Sequence, residues 1–439
     1  MFSNYIRVAF RNFLKYKGYS VIDFIGLAMG ITACLLIIHY VNYEKSYEKY
    51  HSDYERIYRL RYERTDEAGE AVRFASCTPP AAARIRGKYA EVEKIGRMLN
   101  TMGSVSYKNI KYREDRIFYA EPEIFEILSA NSIKGNPIEI LGKPDNACIS
   151  QSIALKYFGD EDPIGKIISI NKKSDYLVGA VFEDVPHNTH LKYDIILPWE
   201  NLAAKAGPEY TEAWGHTGTY TYLRVQPGTD PVEFEKKLLN MVETECPWLE
   251  EYKLSIDLKM QPLADIHLNS HYMQEYEVNG DKETVDLLFL IAIFIIIIAW
   301  VNYTNLSTAR AFNRAKEIGL RKVVGASRRQ LIVQFFCEIA MVNFISILGA
   351  IGLIELFIPY FGQLTGIPSN ASILGQNWFW GVLAIVYFTG VIFSGIYPVI
   401  AMSSFRPIAV IKGKFGKSSK GINVRKVLVI FQFTVSLVL

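Results

Sequence analysis

The sequence predicts an α-helical membrane protein in which a large α+β extracytoplasmic domain is inserted between the first two of four spans. Half of the 439 residues are hydrophobic and only 21% are charged, against about 25% in a typical soluble domain. Four apolar stretches each reach the roughly 20 residues that an α-helix needs to cross a bilayer. Between the first two stretches lies a long polar interval with both strand and helix patterns.

The composition also excludes several classes of protein. Five cysteines in 439 residues build no disulfide framework, and the apolar content excludes a disordered or collagen-like chain. The 48 basic and 45 acidic residues leave a net charge of +3. A balance this close to neutral gives no reason to expect a nucleic acid as partner.

The predicted spans cover residues 21–41, 285–306, 331–359 and 378–402. We interpret the first as an uncleaved signal anchor, because no small-x-small cleavage site follows it. Segment 2–17 is amphipathic and carries Arg7, Arg11 and Lys15 along one side. This pattern is expected of a helix on an anionic membrane surface, and it belongs to an N-terminal region over residues 1–42.

The distribution of charge predicts the orientation of the spans. Residues 43–284 hold 30 basic and 40 acidic side chains, whereas the rest of the chain holds 18 basic and 5 acidic. The basic residues precede span one, separate spans two and three, and follow span four. Because Lys and Arg accumulate in cytoplasmic loops, we expect a bacterial inner-membrane protein with a cytoplasmic N-terminus and residues 43–284 outside.

The interval 43–284 has the mixed periodicity of an α+β fold, either as one domain or as two small subdomains. Alternating apolar residues predict strands over 58–63, 220–225 and 254–260. Helical patterns occupy 79–89, 151–158 and 231–245. Asp230 is a suitable cap for the last of these helices, and Pro231 suits its first turn.

This interval also holds residue types that can form crosslinks or bind metals. Three cysteines leave open whether a disulfide forms: Cys77, Cys148 and Cys246. Four histidines occur in two pairs: His187 with His190, and His267 with His271. No third ligand accompanies either pair, and the glutamate of a metalloprotease motif is absent. We therefore interpret them as surface or turn histidines and expect neither a catalytic residue nor a metal site.

No nucleotide-binding motif accompanies the spans. Gly416, Lys417 and Ser418 end like a Walker A motif, but the glycine required five positions before Gly416 is Ile411, so the phosphate cradle is absent. No Rossmann glycine pattern opens a βα unit either. The chain is not expected to hydrolyse ATP or to bind a cofactor directly.

The loop 310–330 between spans two and three is the most specific feature of the sequence. It contains the segment KEIGLRKVVGA over residues 316–326. Glu317 and Arg321 stand four apart in the order that favours a helix. Three apolar residues give that helix a small contact face: Ile318, Val323 and Val324.

The end of this short helix is also encoded. Gly325 can terminate it, and Ser327 with Gln330 forms a capping box at the start of span three. A short, basic, rigid helix at the cytoplasmic surface is suited to carry force from a partner into the spans. An ordinary positively charged juxtamembrane turn is the alternative on physical grounds alone.

The segment 316–326 resembles the coupling loop of MacB/FtsX-type ABC transporter permeases. Other stretches resemble the same family: AFRNFLKYKGYSVIDFIGLAMGI from Ala9, FGDEDPIGK from Phe158, HNTHLKYDIILP from His187 and SGIYPVIAMSSFRPIAVIKG from Ser394. The resemblance covers nearly the whole chain. It implies a MacB-like periplasmic core domain over 43–284 and an FtsX-like transmembrane domain over 285–402.

The resemblance implies a permease subunit that works with a separate cytoplasmic ATPase, which binds ATP-Mg. It implies that the ATPase docks on the coupling loop at Lys316, Glu317, Ile318, Gly319, Arg321, Lys322, Gly325 and Ala326. Candidate substrates for export or membrane extraction are lipoproteins, peptides, lipids and drugs, with a periplasmic adaptor or outer-membrane channel as further candidate partners. The alternative is an FtsX-like signal transmitter that activates an extracytoplasmic hydrolase.

The C-terminal segment 403–439 contains a basic cytoplasmic linker and then the start of a fifth, truncated span, which consists of 13 apolar residues from residue 427. These resemble the start of a second half in long permeases of the family. We expect the chain to be the N-terminal half of a two-repeat permease, and a homodimer of four-span units is the alternative.

Four residues within the spans are candidates for helix packing, for a helix kink or for a polar contact inside the membrane. Gly26 and Gly30 form a small-xxx-small face on span one that permits close helix packing. Pro398 is expected to kink span four. Glu338 lies two turns into span three, where a carboxylate is costly, and we expect it to pair with the basic loop rather than to serve an ion pathway.

Overall fold

The computed structural model describes residues 2–15, 17–313, 315–368 and 373–403, and toward the C-terminus residues 426, 427, 429, 430, 432–434 and 437. Within the helices it describes every side chain except those of residues 2–4, 6, 310–313, 315–318 and 400–403. Residues 404–425, which hold most of the predicted basic linker, lie outside the described residues, and so do six of the 13 apolar residues that begin at residue 427.

Helices occur along the whole chain, and all strands of the described residues lie between Ile57 and Pro262. Helices α1 to α15 are Phe2–Lys15, Lys17–Glu44, Pro79–Ile85, Glu123–Ile127, Pro137–Leu141, Gln151–Phe158, Trp199–Ala206, Pro208–Thr211, Pro231–Glu245, Trp248–Glu251, Ile266–Asn269, Lys282–Asn313, Ala315–Val323, Arg328–Thr365 and Asn377–Ser403. Strands β1 to β11 are Ile57–Thr65, Ala71–Phe74, Val92–Tyr107, Ile110–Ala120, Ser132–Lys134, Asn146–Ser150, Ile167–Ile170, Ser174–Phe182, Ile195–Pro198, Tyr220–Val225 and Ser255–Pro262. Short 3₁₀ turns cover Tyr54–Arg56, Leu263–Asp265 and Ile373–Gly375.

These elements divide into two compact units. The membrane unit comprises Met1–Tyr43 and Glu283–Leu439, and the α+β domain comprises Glu44–Lys282. Among the described residues, four helices are long and apolar enough to cross a membrane: α2, α12, α14 and α15. The prediction of four apolar helices with an α+β domain between the first two is therefore confirmed.

The spans of the membrane unit pack through a continuous apolar core. Ile31 and Leu35 of α2 meet Ala292 of α12, together with Ala350 and Ile354 of α14. The same core includes residues of α15, so each span buries one stripe against the others. Large apolar side chains are exposed on the outer faces of the spans, as expected for surfaces that contact lipid rather than water.

The α+β domain is built on one hydrogen-bonded sheet of eleven strands, in the order β11-β1-β10-β3-β4-β9-β6-β8-β5. Strand β2 pairs with β1, and β7 bridges β3 and β8. Most neighbours are antiparallel, but β4 with β9 and β6 with β8 are parallel. The long hairpin of β3 and β4 carries the hydrogen bonding from one half of the sheet to the other, so the strands form a single sheet rather than two separate ones.

Helices cover the sheet where its side chains are apolar. Phe234 and Leu238 of α9 pack in one cluster with Ile256 and Leu258 of β11. Asp230 caps α9 by accepting hydrogen bonds from the amides of its first turn, as the sequence predicts. The predicted helix over 79–89 instead ends at Ile85, because Gly87 adopts a φ of +69° that a helix cannot continue through.

All five cysteines lie within the described residues, and each is a free thiol: Cys34, Cys77, Cys148, Cys246 and Cys337. The disulfide that the sequence left open is therefore absent from this part of the chain. Burial raises the pKa of the Cys77 thiol to about 12 and that of Cys246 to about 11. These thiols act as small apolar groups within the core.

Candidate functional site

Helix α13, which the sequence predicts to be the coupling helix, ends in a turn whose hydrogen bonds are fully formed. The amide of Gly325 donates to the Lys322 carbonyl, and the amide of Ala326 donates to the Arg321 carbonyl. This is the Schellman pattern, which satisfies the last carbonyls of a helix and favours glycine at the left-handed position. Gly325 occupies that position with a φ of +100°.

A capping box begins span three directly after this turn. The Ser327 hydroxyl accepts a hydrogen bond from the Gln330 amide, and the Gln330 side chain accepts one from the Ser327 amide. The predicted capping box is confirmed. Because both caps lie within four residues of one another, α13 and α14 are joined through a short connection with few free backbone groups.

Among the described side chains of α13 and its turn, three are exposed and aliphatic: Leu320, Val323 and Val324. Leu320 is 65% exposed and Val324 is 81% exposed. Exposed basic residues Arg328 and Arg329 follow directly. Burial and the charge of Arg328 lower the pKa of Lys322. The result is a small apolar surface with a basic edge, and it includes Leu320, which the predicted contact face lacked.

Two residues that the sequence analysis assigned to docking, Arg321 and Gly319, are not freely exposed on the surface of α13. Arg321 is only partly exposed, and its Nη1 donates to Oε1 of Gln334 at 2.9 Å, inside the membrane unit. Gly319 is buried. The side chains of Lys316, Glu317 and Ile318 lie outside the described residues.

The intramembrane carboxylate Glu338 belongs to the same hydrogen-bonded group. Its Oε1 accepts from Nε2 of Gln334 at 3.1 Å and from Nδ2 of Asn12 at 2.9 Å. Arg321, from the basic loop, therefore approaches Glu338 through the Gln334 amide. The sequence carried no signal for Asn12 or Gln334, because each is an ordinary polar residue until the helices are packed.

The remaining intramembrane residues differ in how tightly they are packed. A Cβ on Gly30 would lie 2.6 Å from the Cβ of Ala299 on α12, whereas a Cβ on Gly26 would have only Asn302 at 3.8 Å. Of these two glycines, Gly30 is thus the one at which α2 and α12 lie closer together. Pro398 lies inside α15, which continues to Ser403, and the expected kink there stays a prediction.

The interpretation of all four candidate histidines as surface or turn residues is wrong for His190. Its Nδ1 lies 2.9 Å from the carboxylate of Glu48, and its Nε2 lies 2.7 Å from the Tyr222 hydroxyl. His51 contacts the other Glu48 oxygen at 3.1 Å, and Thr189 donates to that oxygen. All five residues are buried.

The surroundings of Glu48 and Tyr222 shift the pKa of each in a definite direction. Burial alone would raise the pKa of the Glu48 carboxyl, but the charges and hydrogen bonds of His190 and His51 hold it well below its usual range. Burial raises the pKa of Tyr222 well above its usual value. Glu48 is therefore an ionised carboxylate in the core of the α+β domain, with Tyr222 as a neutral phenol beside it.

His267 is the second correction. Its Nε2 lies 2.8 Å from the Glu44 carboxylate, and its ring stacks on Tyr47. His187 and His271 are exposed, as the sequence interpretation had them. Across the ranges that the structure describes, no group of three or more His, Cys, Asp or Glu side chains is arranged to hold a metal ion.

Comparison with protein families matches both parts of the chain. The MacB-like periplasmic core domain matches residues 20–241, and the FtsX-like permease C-terminal domain matches residues 289–407. The first match covers most of α2 and most of the α+β domain, and the second covers most of α12 together with α13, α14 and α15. The chain therefore belongs to the MacB/FtsX-type family of ABC transporter permeases.

Two kinds of relative are similar in sequence to this chain. The macrolide export ATP-binding/permease protein MacB of Bdellovibrio bacteriovorus is 24% identical over 61% of this chain, and that of Neisseria gonorrhoeae is 22% identical over 74%. The chain spans 38% and 48% of the length of these two relatives. The uncharacterized ABC transporter permease YvrN of Bacillus subtilis is 18% identical over 92% of this chain and 98% of its own length.

Solved structures are similar to just under half of this chain. A domain of a putative permease protein from Porphyromonas gingivalis is 23% identical, with a TM-score of 0.44, covering 48% of this chain and 91% of its own. The periplasmic region of MacB from Actinobacillus actinomycetemcomitans is 12% identical with a TM-score of 0.34, covering 46% and 88%.

Proposed function

We propose that this chain is the permease subunit of an ABC transporter and that a separate cytoplasmic ATPase docks on the coupling helix α13. The observation that carries the proposal is the exposed apolar surface formed by Leu320, Val323 and Val324. Aliphatic side chains outside a span cost free energy in water, about 25 cal/mol per Å², and a protein partner removes that cost.

The chemistry of this surface indicates the kind of partner surface it fits. The basic residues Arg328 and Arg329 border the aliphatic side chains, so the complementary surface is an apolar depression with an acidic rim. The Schellman turn and the capping box support the proposal, because they join the docking surface directly to span three. ATP-Mg and the chemistry of hydrolysis belong to the ATPase.

Substitution of the docking surface tests this function. Leu320→Asp and Val324→Asp place a charge where an apolar contact is needed, and we expect each to reduce by at least ten-fold the ABC ATPase captured with the tagged chain from native membranes. Leu155→Asp is the matched control, because Leu155 in the α+β domain has 66% exposure against 65% for Leu320. Equal capture by all variants, or capture of no ABC ATPase by the unaltered chain, contradicts the proposal.

The orientation of the chain is part of the same proposal. We infer that α13 faces the cytoplasm and that the α+β domain lies outside, in agreement with the basic loops. Val278→Cys in the α+β domain and Val324→Cys beside α13 test it, since their side chains are 95% and 81% exposed. A membrane-impermeant maleimide should label the Val278→Cys variant in intact cells and the Val324→Cys variant only after lysis. The reverse pattern would invert the topology.

We further infer that ATP-driven closure of the spans changes the conformation of the α+β domain, for export or membrane extraction of lipoproteins, peptides or drugs. Macrolide export is the activity named for the MacB relatives. Export of a labelled macrolide by cells with the intact chain, and its loss in the Leu320→Asp variant, is the expected result. If the intact chain captures the ATPase but does not change macrolide export by the cells, the substrate belongs to another class.

A further inference from the structure

The N-terminal helix α1 is tied to span three by a polar contact. Nδ2 of Asn12 donates to Oε1 of Glu338 at 2.9 Å. On the same side of α1, Ala9 is buried and Phe13 packs against the apolar cluster that contains Leu331 and Phe335 of α14. The packed face of α1 therefore contains one polar residue between apolar contacts, and this residue meets a carboxylate.

The coupling helix α13 is tied to the same carboxylate from the other side. Nη1 of Arg321 donates to Oε1 of Gln334, and Nε2 of Gln334 donates to Oε1 of Glu338. Gln334 and Glu338 are four residues apart, so they lie on one face of α14. The contacts run in sequence from α13, along α14, to α1.

The chemistry of Arg321 fixes the orientation of the Gln334 amide. A guanidinium only donates hydrogen bonds, whereas an amide has its acceptor oxygen and its donor nitrogen on opposite sides. The Gln334 oxygen must therefore face Arg321, and its amino group must face Glu338. Gln334 is only 7% exposed, so breaking either contact leaves a buried polar group without that partner, which is costly.

We propose that Asn12, Gln334 and Glu338 are positioning residues that hold the coupling helix and the N-terminal helix at fixed places on span three. We infer that they pass ATPase-driven movement of α13 to α1 as well as to α14. This role rests on the proposed function. Arg321 then acts within the permease, as the end of this hydrogen-bonded chain. The exposed aliphatic side chains of α13 provide the contact with the ATPase.

The opposite face of α1 gives the link a consequence at the membrane surface. Phe10 and Leu14 are exposed on α1, and Arg7 and Arg11 are exposed beside them. An amphipathic helix of this composition lies at the interface with anionic lipid. Movement of α13 therefore reaches a helix that is itself anchored in the lipid headgroups.

Amide hydrogen exchange of the full-length chain in nanodiscs tests the proposal, because each contact protects a different helix. Gln334→Leu should raise exchange in α13 by about five-fold and leave α1 unchanged, whereas Asn12→Leu should raise exchange in α1 and leave α13 unchanged. A five-fold factor corresponds to about 1 kcal/mol, the loss expected for one hydrogen bond. Glu338→Leu should raise exchange in both helices.

Two further variants separate positioning from general loss of stability. Asn343→Leu removes another buried amide of α14, one that donates to the Ile339 carbonyl within its own helix. It should leave both α1 and α13 protected. Glu338→Gln keeps an acceptor oxygen for both donors, so it should restore most of the protection that Glu338→Leu removes.

The proposal is overturned if Gln334→Leu and Asn12→Leu each raise amide exchange equally in α1 and α13. It is also overturned if Asn343→Leu raises exchange in these two helices. The measurement uses the permease without its ATPase. Unchanged capture of the ATPase by the Leu320→Asp variant, which would contradict the proposed function, therefore leaves this result standing, and the two proposals fail separately.

Discussion

The carboxylate of Glu48 accepts a hydrogen bond from the backbone amide of His190 at 2.5 Å and lies 2.9 Å from Nδ1 of the same residue. Glu48 thereby fixes the loop that contains His190 by both its main chain and its side chain. Asn188 strengthens the same junction, because its carbonyl accepts from the Glu48 amide and its side chain donates to Ser46. Residues near the start of the α+β domain are thus held against a loop about 140 positions later in the chain.

We expect the α+β domain to lose stability in acid because of Glu48. Its pKa is held below the ordinary value in the folded state, so the unfolded chain takes up the proton first. The stabilisation is complete above the unfolded pKa of about 4.3 and is lost as the pH falls toward the lower folded pKa. Unfolding of the full chain, followed by tryptophan fluorescence from pH 7 to pH 3, should show this loss.

The matched variants are Glu48→Gln and Glu161→Gln. Removing the buried charge should cost about 3 kcal/mol at pH 7 and flatten the acid dependence of unfolding. Glu161 is exposed in its pair with Lys108, so its substitution should leave the stability almost unchanged. Equal effects of the two substitutions would show that the buried contacts of Glu48 contribute little.

Gly30 should tolerate no larger side chain. The Cβ added by Gly30→Ala would lie 2.6 Å from the Cβ of Ala299, so α2 and α12 must separate, at a cost of about 1–3 kcal/mol. Ala299→Gly in the same chain should restore the thermal stability. Gly26→Ala is the control, since its nearest neighbour is 3.8 Å away, and similar losses at both glycines would contradict the close packing at Gly30.

The turn at Gly325 should be needed for an ordered coupling helix. Gly325→Ala puts a side chain at a φ of +100° and should cost about 1 kcal/mol locally. We expect faster amide exchange at the end of α13 and weaker capture of the ATPase. Gly352→Ala is the control, because nothing lies within 4 Å of its added Cβ, and it should change neither measurement.

The thiols of the α+β domain should be unreactive in the folded chain. Cys77, Cys148 and Cys246 are buried, and burial raises the pKa of each thiol, so the reactive thiolate is scarce at neutral pH. Iodoacetamide should label them only after unfolding, and reduction should not change electrophoretic mobility. A shift in mobility on reduction would indicate a disulfide in the native protein.

The parts of the fold that the sequence predicts well depend on local patterns. The spans follow from long runs of apolar residues, and the caps at Asp230 and Ser327 follow from residue preferences at helix starts. The helix predicted over 79–89 is too long, because the pattern does not show that Gly87 adopts a positive φ.

The parts that escaped prediction depend on contacts between distant segments. Glu44 and His267 are 223 positions apart, and nothing near either residue signals the other. The same holds for Asn12 and Glu338, which are 326 positions apart. A lone polar residue in a helix has many possible partners, and only the packing of the helices selects one.

The two caps that join the coupling helix to span three have a mechanical consequence. Helix α14 has 38 residues, which at a rise of 1.5 Å per residue makes an arm about 57 Å long. If α13 turns with the near end of that arm, a rotation of about 5° displaces the far end by about 5 Å. A small displacement at the end of α14 next to α13 is thus magnified by the length of the helix alone.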